Sequence, residues 1–170
     1  MDIKSYIRDI PDFPKQGILF KDITPLLSDA EAFKASIALL LELIGDIKVD
    51  KVIGMESRGF IFGPVLAENL NAGFVPVRKP GKLPSSIYSE SFDLEYGTDS
   101  LEIHLDAIKK GDKVLIHDDV IATGGTASAA CNLVERLGGE VVQMNFLIEL
   151  EFLHGRDKLK GYETKSLLKY

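Results

Sequence analysis

The apolar positions of the chain fall into one stretch with helical spacing and several short runs. Ser28-Asp29-Ala30-Glu31 has the spacing of a capping box. The apolar residues after it recur at helical intervals until Gly45: Phe33, Ile37, Leu40, Leu41 and Ile44. An amphipathic helix is therefore predicted there. Upstream, the prolines and the glycine of residues 11–17 predict an irregular segment ahead of the apolar run 18–20.

Short apolar runs further along the chain predict buried strands separated by helices. The runs are 52–55, 74–78, 114–116 and 141–147. Helical patterns follow the first run, as far as Leu70, and the third, through Leu133 to Leu137. Pro76 favours an edge position or a strand start for the second run. This order predicts an α/β fold, an open and mainly parallel twisted sheet with helices on both faces. Ligands of such sheets bind at the carboxyl ends of the strands.

Residues 85–105 interrupt this alternation. Leu94-Glu95-Tyr96 leads into Gly97, and then Leu101, Ile103 and Leu105 alternate with polar residues. This pattern predicts a hairpin or long flap, and an excursion of this length from a compact domain commonly serves as a lid. We expect one domain over residues 1–170, with a flexible flap at about 85–105.

Composition and charge exclude several classes of protein. The chain has 170 residues, 45% of them apolar, which is enough for one packed core without disulfides. Its net charge of −6 disfavours a role in binding nucleic acid. No apolar run is long enough to span a bilayer, residues 1–4 do not have the pattern of a signal peptide, and Cys131 has no second cysteine to pair with. We therefore expect a cytoplasmic protein that binds neither nucleic acid nor membrane.

The segment after the third apolar run carries the strongest chemical pattern. It places two adjacent carboxylates, Asp118 and Asp119, ahead of a small-residue loop that opens a helix. That loop is Ala122, Thr123, Gly124, Gly125 and Thr126. Glycines let the backbone approach a ligand closely, and the free N–H groups of a helix start favour a phosphate. Carboxylates repel a phosphate but accept hydrogen bonds from vicinal hydroxyls. The pattern predicts a site for a ribose 5-phosphate.

Other readings of this loop are weaker. No lysine follows Gly125 as a Walker P-loop requires, and the G-x-G-x-x-G pattern of dinucleotide enzymes is absent. A generic turn with solvated aspartates stays open, although such turns rarely combine these features. For His117, which precedes the acidic pair, we expect a buried histidine on a strand rather than a catalytic one.

The segment 116–126 resembles the signature for 5-phosphoribosyl 1-pyrophosphate of the type I phosphoribosyltransferases. That signature is an apolar strand, two acidic residues and then A/T-T-G-G-T, and His117 is a small departure from it. Further motifs narrow the resemblance to the adenine phosphoribosyltransferase family, from about Tyr6 to Tyr170. They are Phe13-Pro14 and the stretches 17–23, 56–60, 78–84 and 94–97.

The resemblance implies a purine salvage enzyme that transfers ribose 5-phosphate from 5-phosphoribosyl 1-pyrophosphate to N9 of adenine, forming AMP and pyrophosphate. It implies Mg²⁺ as cofactor, carried by the substrate without a dedicated protein cage. It also implies a homodimer, because relatives commonly lend part of the cationic loop 78–82 to the neighbouring subunit. Other purine bases, namely guanine, hypoxanthine or xanthine, stay open as alternatives, as does a regulator that only senses the donor.

The resemblance also assigns roles to single residues. Glu95 is the expected catalytic carboxylate, which manages the proton of the adenine imidazole ring, and Tyr96 accompanies it on the flap. Asp118 and Asp119 are expected to bind the ribose, and residues 122–126 the 5-phosphate. The pyrophosphate is assigned to Glu56, Ser57, Arg58, Arg78, Lys79 and Lys82, and adenine to Leu19, Phe20 and Lys21. Backbone donors of the 56–59 loop and the nearby cations suit an anion on physical grounds as well.

Overall fold

The structure is a computed structural model that describes residues 1–94 and 97–170. The chain divides into two compact units, residues 1–42 and 43–170. One domain over the whole chain stays a prediction. Within the described part of the chain, no helix has both the length and the apolar character needed to cross a membrane.

The first unit contains a small antiparallel ribbon followed by helix. A 3₁₀ turn precedes the ribbon, and two helices follow it. The elements are the turn Ile3–Tyr6, strands β1 (Arg8–Pro11) and β2 (Leu19–Asp22), helix α1 (Thr24–Ser28) and the start of helix α2 (Ala30–Ile44). The irregular segment predicted at 11–17 forms most of the connection between β1 and β2.

The start of α2 differs from the predicted capping box. Asp29 caps the helix, because its Oδ1 accepts a hydrogen bond of 2.9 Å from the Ala32 amide. Ser28 ends α1 instead, and its hydroxyl donates to the Pro25 carbonyl. The hydroxyl is therefore turned to the preceding helix, and the cap moves one residue along the chain.

The second unit is built on a parallel sheet. Its elements are β3 (Lys51–Met55), α3 (Gly59–Asn69), β4 (Gly73–Val77), β5 (Ile87–Asp93), β6 (Thr98–His104), β7 (Lys113–Ile121), α4 (Gly125–Arg136), β8 (Glu140–Glu149), the 3₁₀ turns Glu151–Leu153 and Gly155–Leu159, and β9 (Thr164–Lys169). In the described residues, five strands pair in the order β4-β3-β7-β8-β9, all parallel. The predicted parallel sheet is confirmed, and β4, which contains Pro76, lies at its edge.

Helices cover both faces of this sheet, as predicted. The β3-to-β4 and β7-to-β8 connections step in opposite directions, so right-handed crossovers put α3 and α4 on opposite faces. Neighbouring residues of β7 agree with this. Ile116 packs in the same cluster as Leu133 of α4. The His117 ring instead packs against the Phe62 ring of α3 in a T-shaped arrangement, with the ring centroids 5.9 Å apart.

The predicted hairpin is present as the antiparallel pair β5–β6. Leu101 and Ile103 of β6 are buried in the core that α4 also covers. The alternation stops earlier than the sequence pattern indicates, because β6 ends at His104 and Leu105 is 42% exposed. We call residues 87–104 the flap. Its flexibility is still a prediction.

Candidate active site

The acidic pair lies inside a strand rather than after one. Strand β7 continues through Ile121, so Asp118 and Asp119 still lie inside the strand, with Asp118 opposite Phe146 of β8. The Asp119 amide donates to Asp118 Oδ1 at 2.9 Å. The predicted strand 114–116 was too short because the polar residues at its end hid the continuing ladder. Their backbone is therefore held rigidly at the carboxyl edge of the sheet.

Asp119 is buried, and Asp118 is partly buried. Burial, together with the negative charge of Asp119, raises the pKa of Asp118 well above its usual value. Burial also raises the pKa of Asp119, although the positive charge of Arg58 works in the opposite direction. Such carboxylates gain from ligands that donate hydrogen bonds. Vicinal hydroxyls supply such donors.

The loop after β7 turns through a left-handed glycine into α4. Gly124 has φ of 79°, and a Cβ there would lie closer than 3.0 Å to the Gly155 carbonyl oxygen. A Cβ on Gly155 would in turn lie closer than 3.0 Å to the Ala122 carbonyl oxygen. The loop between β7 and α4, which we call the cradle, therefore needs glycine on both sides of its contact with residue 155. Sequence reasoning found Gly124 but missed Gly155, which stands in no recognisable glycine motif.

The predicted phosphate loop and Asp118 border one cavity of about 80 Å³. Met55 and Phe146 supply apolar walls. The remaining lining is Val120, Ile121, Ala122, Thr123, Gly124, Thr126 and Ala127. Gly125 is buried at the first position of α4. The structure thus brings four of the five predicted 5-phosphate residues together around a small cavity at the start of a helix, where N–H groups favour an anion.

A second cavity of about 440 Å³ adjoins the acidic pair. It is lined by Glu56, Ser57, Arg58, Lys79, Asp118 and Asp119. Asp118 borders both cavities. Arg58 Nε lies 2.8 Å from Asp119 Oδ2, so a cation and an acid meet on the wall of this second cavity.

Glycine also allows α3 to start close to the acids. A Cβ on Gly59 would lie 3.0 Å from the His117 carbonyl oxygen and 3.1 Å from Asp118 Oδ1. The loop between β3 and α3 contains a cis peptide bond between Glu56 and Ser57. Three of the residues predicted to hold pyrophosphate, Glu56, Ser57 and Arg58, thus directly precede a helix whose first residue lies close to β7.

Glu56 contacts the cationic loop with its carboxylate. It accepts hydrogen bonds of 3.2 Å from Nε and Nη2 of Arg78 and of 3.0 Å from the Lys79 amide. The Lys79 amide and the Arg78 guanidinium lower the pKa of Glu56. A carboxylate held in this way orients Arg78 and does not itself attract an anion. Lys82 is exposed on the same loop.

The residues predicted to bind adenine belong to the first unit. Phe20 and Phe13 pack edge to face at 5.2 Å and, with Ile10 and Asp22, line a cavity of about 250 Å³. Leu19 is exposed, and Lys21 is buried with its ammonium 2.6 Å from Asp9 Oδ1. Ile10 and Asp22 were not singled out from the sequence. The predicted catalytic Glu95 and its neighbour Tyr96 lie outside the described residues.

His117 is a buried strand residue, as expected. It is 0% exposed, its Nδ1 lies 3.1 Å from Asn145 Oδ1, and burial lowers its pKa to about 4. The ring is therefore neutral at physiological pH. Its Nε2 has no hydrogen-bond partner among residues 1–94 and 97–170.

Comparisons with known proteins agree with this geometry. The family model for the phosphoribosyl transferase domain matches residues 23–167. The adenine phosphoribosyltransferase of Christiangramia forsetii is 64% identical over 170 residues, which are 100% of this chain and 99% of that protein. The crystal structure of adenine phosphoribosyltransferase from Thermoanaerobacter pseudethanolicus has a TM-score of 0.98 at 57% identity, covering 99% of this chain and 98% of that one.

A more distant solved structure points to the same chemistry. The adenine phosphoribosyltransferase of Saccharomyces cerevisiae, complexed with an imino-altritol bisphosphate and adenine, has a TM-score of 0.91 at 44% identity. It covers 97% of this chain and 96% of its own. The acids beside a glycine loop, the parallel sheet that carries them and the full-length similarity agree, and the chain belongs to the adenine phosphoribosyltransferases of the phosphoribosyltransferase family.

Proposed function

We propose that the two cavities at the acidic pair hold the two ends of 5-phosphoribosyl 1-pyrophosphate. The chain is a purine salvage transferase of its family. In the reaction, N9 of adenine forms a bond to C1 of the ribose while the bond from C1 to pyrophosphate breaks. AMP and pyrophosphate are the products, and the imidazole ring of adenine gives up a proton.

The observation that carries the assignment is the position of Asp118, which borders both cavities. The small cavity has backbone N–H groups of the α4 start and suits the 5-phosphate. The ribose hydroxyls then donate to Asp118 and Asp119. Both carboxylates are fixed on β7, so the sugar is oriented without a large rearrangement.

The larger cavity suits the pyrophosphate. Arg58 and Lys79 line it, and Glu56 directs Arg78 on the adjoining loop. Lys82 adds a further exposed cation to that loop. As pyrophosphate leaves, its negative charge increases while positive charge develops on the ribose. Cations placed beforehand around the leaving group lower the energy of that transition state.

The donor set near the acids fits Mg²⁺ carried by the substrate. Aspartate oxygens are the hard ligands that Mg²⁺ prefers, and this ion keeps several waters and takes phosphate oxygens readily. Among the described residues, no cluster of three or more His, Cys, Asp or Glu is arranged to hold a metal ion. When bound, Mg²⁺ would neutralise charge on the pyrophosphate. Asp118 and Asp119 are the residues placed to approach it.

Glu95 and the first unit complete the proposal. Leu19, Phe20 and Lys21 are proposed to bind adenine, with the Phe13 and Phe20 rings providing apolar surface for a purine. Glu95, with Tyr96 beside it on the flap, is proposed to manage the proton of the imidazole ring. Replacement of Glu95 by Gln tests this role, because an amide can accept a hydrogen bond but cannot take up the proton. We expect substrate binding to be kept and turnover to be lost; full activity would remove Glu95 from the mechanism.

A product assay tests the function directly. The purified chain is incubated with 5-phosphoribosyl 1-pyrophosphate, Mg²⁺ and one base at a time, and nucleotides are separated by chromatography. We expect AMP from adenine and far less product from guanine, hypoxanthine or xanthine. Preference for another base would contradict the substrate assignment. Donor binding without turnover of any base would contradict an enzymatic role and favour a sensor.

We also propose a homodimer in the cytoplasm. The dimer rests on the family resemblance of the cationic loop 78–82, and the location on the free, buried Cys131. Light scattering of the purified chain tests the oligomeric state: a mass of twice 18.7 kDa is expected, and a monomer at assay concentrations would contradict it.

A further inference from the structure

Strand β5 of the flap lies along helix α4. Tyr88, Glu90 and Phe92 are partly buried, while Ser89, Ser91 and Asp93 between them are exposed. This alternation is that of a strand with one covered face. Tyr88 and Phe92 pack against the core that α4 helps to form. The flap therefore has one side that rests on the helix.

Polar side chains of α4 hold this side in place. Arg136 Nη1 donates to the Ser89 carbonyl at 2.9 Å and lies 3.4 Å from Glu90 Oε2. The Arg136 guanidinium also lies over the Tyr88 ring, 4.4 Å from its centroid. Asn132 Nδ2, one helical turn earlier, donates to Glu90 Oε1 at 2.9 Å. A pair of α4 side chains thus contacts β5 at successive positions.

The other end of β5 reaches the phosphate loop. A Cβ on Gly125 would lie 3.2 Å from Cδ2 of Phe92 and 3.7 Å from the Asp93 carbonyl oxygen. The Phe92 ring therefore packs directly on the first residue of α4, beside the proposed 5-phosphate cradle. In the sequence, Glu95 follows Phe92 by only three positions. The same helix thus carries the phosphate cradle at its start and the flap support at its end.

We propose that Arg136 and Asn132 are positioning residues of the transferase reaction. They hold β5 against α4, which fixes where Phe92 and Asp93 lie relative to the bound ribose phosphate. The inference rests on the proposed function, since it needs the cradle at Gly125 and a role for the flap. A misplacement of about 1 Å in a reacting geometry costs up to about 100-fold in rate. Loss of this support should therefore reduce turnover more than donor affinity.

The test combines kinetics with hydrogen exchange on the whole chain. In Arg136→Gln we expect kcat with adenine to fall about tenfold, with KM for the donor changed less than about twofold. Amides of residues 87–94 should exchange faster, while those of β7 and β8 keep their protection. Arg136→Lys, which keeps a charge over Tyr88, should restore part of kcat. Asn132→Ala, which changes an exposed side chain, should give a smaller loss in the same direction.

Lys113→Gln is the matched control. It removes one cation from an exposed ion pair with Glu140 at the start of β7, the end away from the acidic pair. Its kcat and its exchange in 87–94 should equal those of the unmodified chain. Unchanged kcat in both Arg136→Gln and Asn132→Ala would overturn the inference, as would a loss no larger than the lost fraction of folded protein. Activity of the unmodified chain tests the proposed function separately, so the failure of one can be told from the failure of the other.

Discussion

The Arg58 guanidinium and the Asp119 carboxylate form an ion pair of 2.8 Å between the loop after β3 and strand β7. Arg58 precedes α3 and its side chain is 37% exposed, while that of Asp119 on β7 is 4% exposed. A buried acid is thus compensated by a cation that still faces the larger cavity. The proposed pyrophosphate and ribose sites are electrostatically linked through this pair.

Replacement of Arg58 by Gln should impair both sites. The leaving group loses a cation, and Asp119 loses the charge that opposes the effect of burial on its pKa. We expect kcat/KM for the donor to fall by about 100-fold in steady-state assays. Lys160→Gln, which removes an exposed ion pair with Asp157, is the control and should leave kcat/KM unchanged. Equal effects of the two substitutions would contradict the role of Arg58.

Replacement of Asp118 by Asn should stabilise the protein while it reduces activity. Burial raises the pKa of the folded carboxyl above its ordinary value of 3.8, so the folded state holds a proton more tightly than the unfolded chain. Stability therefore falls as the pH rises above about 4, until the folded pKa is passed. Asn removes this loss, and we expect a higher midpoint of thermal unfolding than for the unmodified chain at about pH 7.5. The difference should shrink as the pH approaches about 4.

Asp50→Asn should change the thermal stability in the opposite direction to Asp118→Asn. The Lys113 amide and the Lys48 ammonium lower the pKa of Asp50 below its ordinary value of 3.8. The charged carboxylate therefore stabilises the folded state at pH values above about 3.8. Its replacement should lower the thermal midpoint near neutral pH and leave turnover unchanged. If Asp118→Asn lowered the midpoint as Asp50→Asn does, the Asp118 carboxylate would be a stabilising group and its high pKa would be wrong.

Much of the fold and of the predicted phosphate loop could be predicted from the sequence, because the signals lie in residues close together in the chain. Strands β3, β4, β7 and β8 each contain a short apolar run, and Pro76 indicated the edge. Gly124 could be found because glycine, an adjoining threonine and two acids stand together in one stretch. In such cases the sequence signal and the structural cause occupy the same few residues.

Features that depend on distant neighbours were missed. Strand β9 (Thr164–Lys169) has no alternating pattern, and its place is set by pairing with β8. Glycine is needed at position 155 because a Cβ there would clash with the Ala122 carbonyl. Arg136 contacts Ser89 of β5, which lies more than 40 residues earlier in the chain. The capping-box spacing indicated Ser28 as the helix cap, but Asp29 fits the same local preference, and the hydrogen bond from the Ala32 amide shows that Asp29 is the cap. For β9, Gly155 and Arg136, the contacting partner is distant in the chain, so no local sequence pattern predicts the contact.

Replacement of Phe20 by Leu tests the proposed adenine contact. Leucine keeps an apolar side chain but removes the ring that meets Phe13 at 5.2 Å and lines the cavity of the first unit. We expect KM for adenine to rise about fivefold, since an aromatic contact contributes about 1 kcal/mol beyond its buried area. KM for the donor serves as the control within the same variant and should stay unchanged. A parallel rise in both constants would indicate a general structural defect.

Replacement of Gly124 by Ala should destroy the proposed 5-phosphate site. Comparison with Gly111→Ala separates two effects, the cost of positive φ and the clash of a Cβ with the backbone. Both glycines have positive φ, 79° and 87°, which costs a non-glycine residue about 1–2 kcal/mol. A Cβ at Gly111 meets no atom within 4 Å, whereas one at Gly124 would press on the Gly155 carbonyl. We therefore expect Gly111→Ala to lose only about 1–2 kcal/mol of unfolding free energy and to keep its donor affinity. Gly124→Ala should lose more stability and bind the donor too weakly for calorimetry to detect. Because backbone cannot move aside as a flexible side chain can, equal stability and equal affinity of the two variants would contradict the close packing of the cradle.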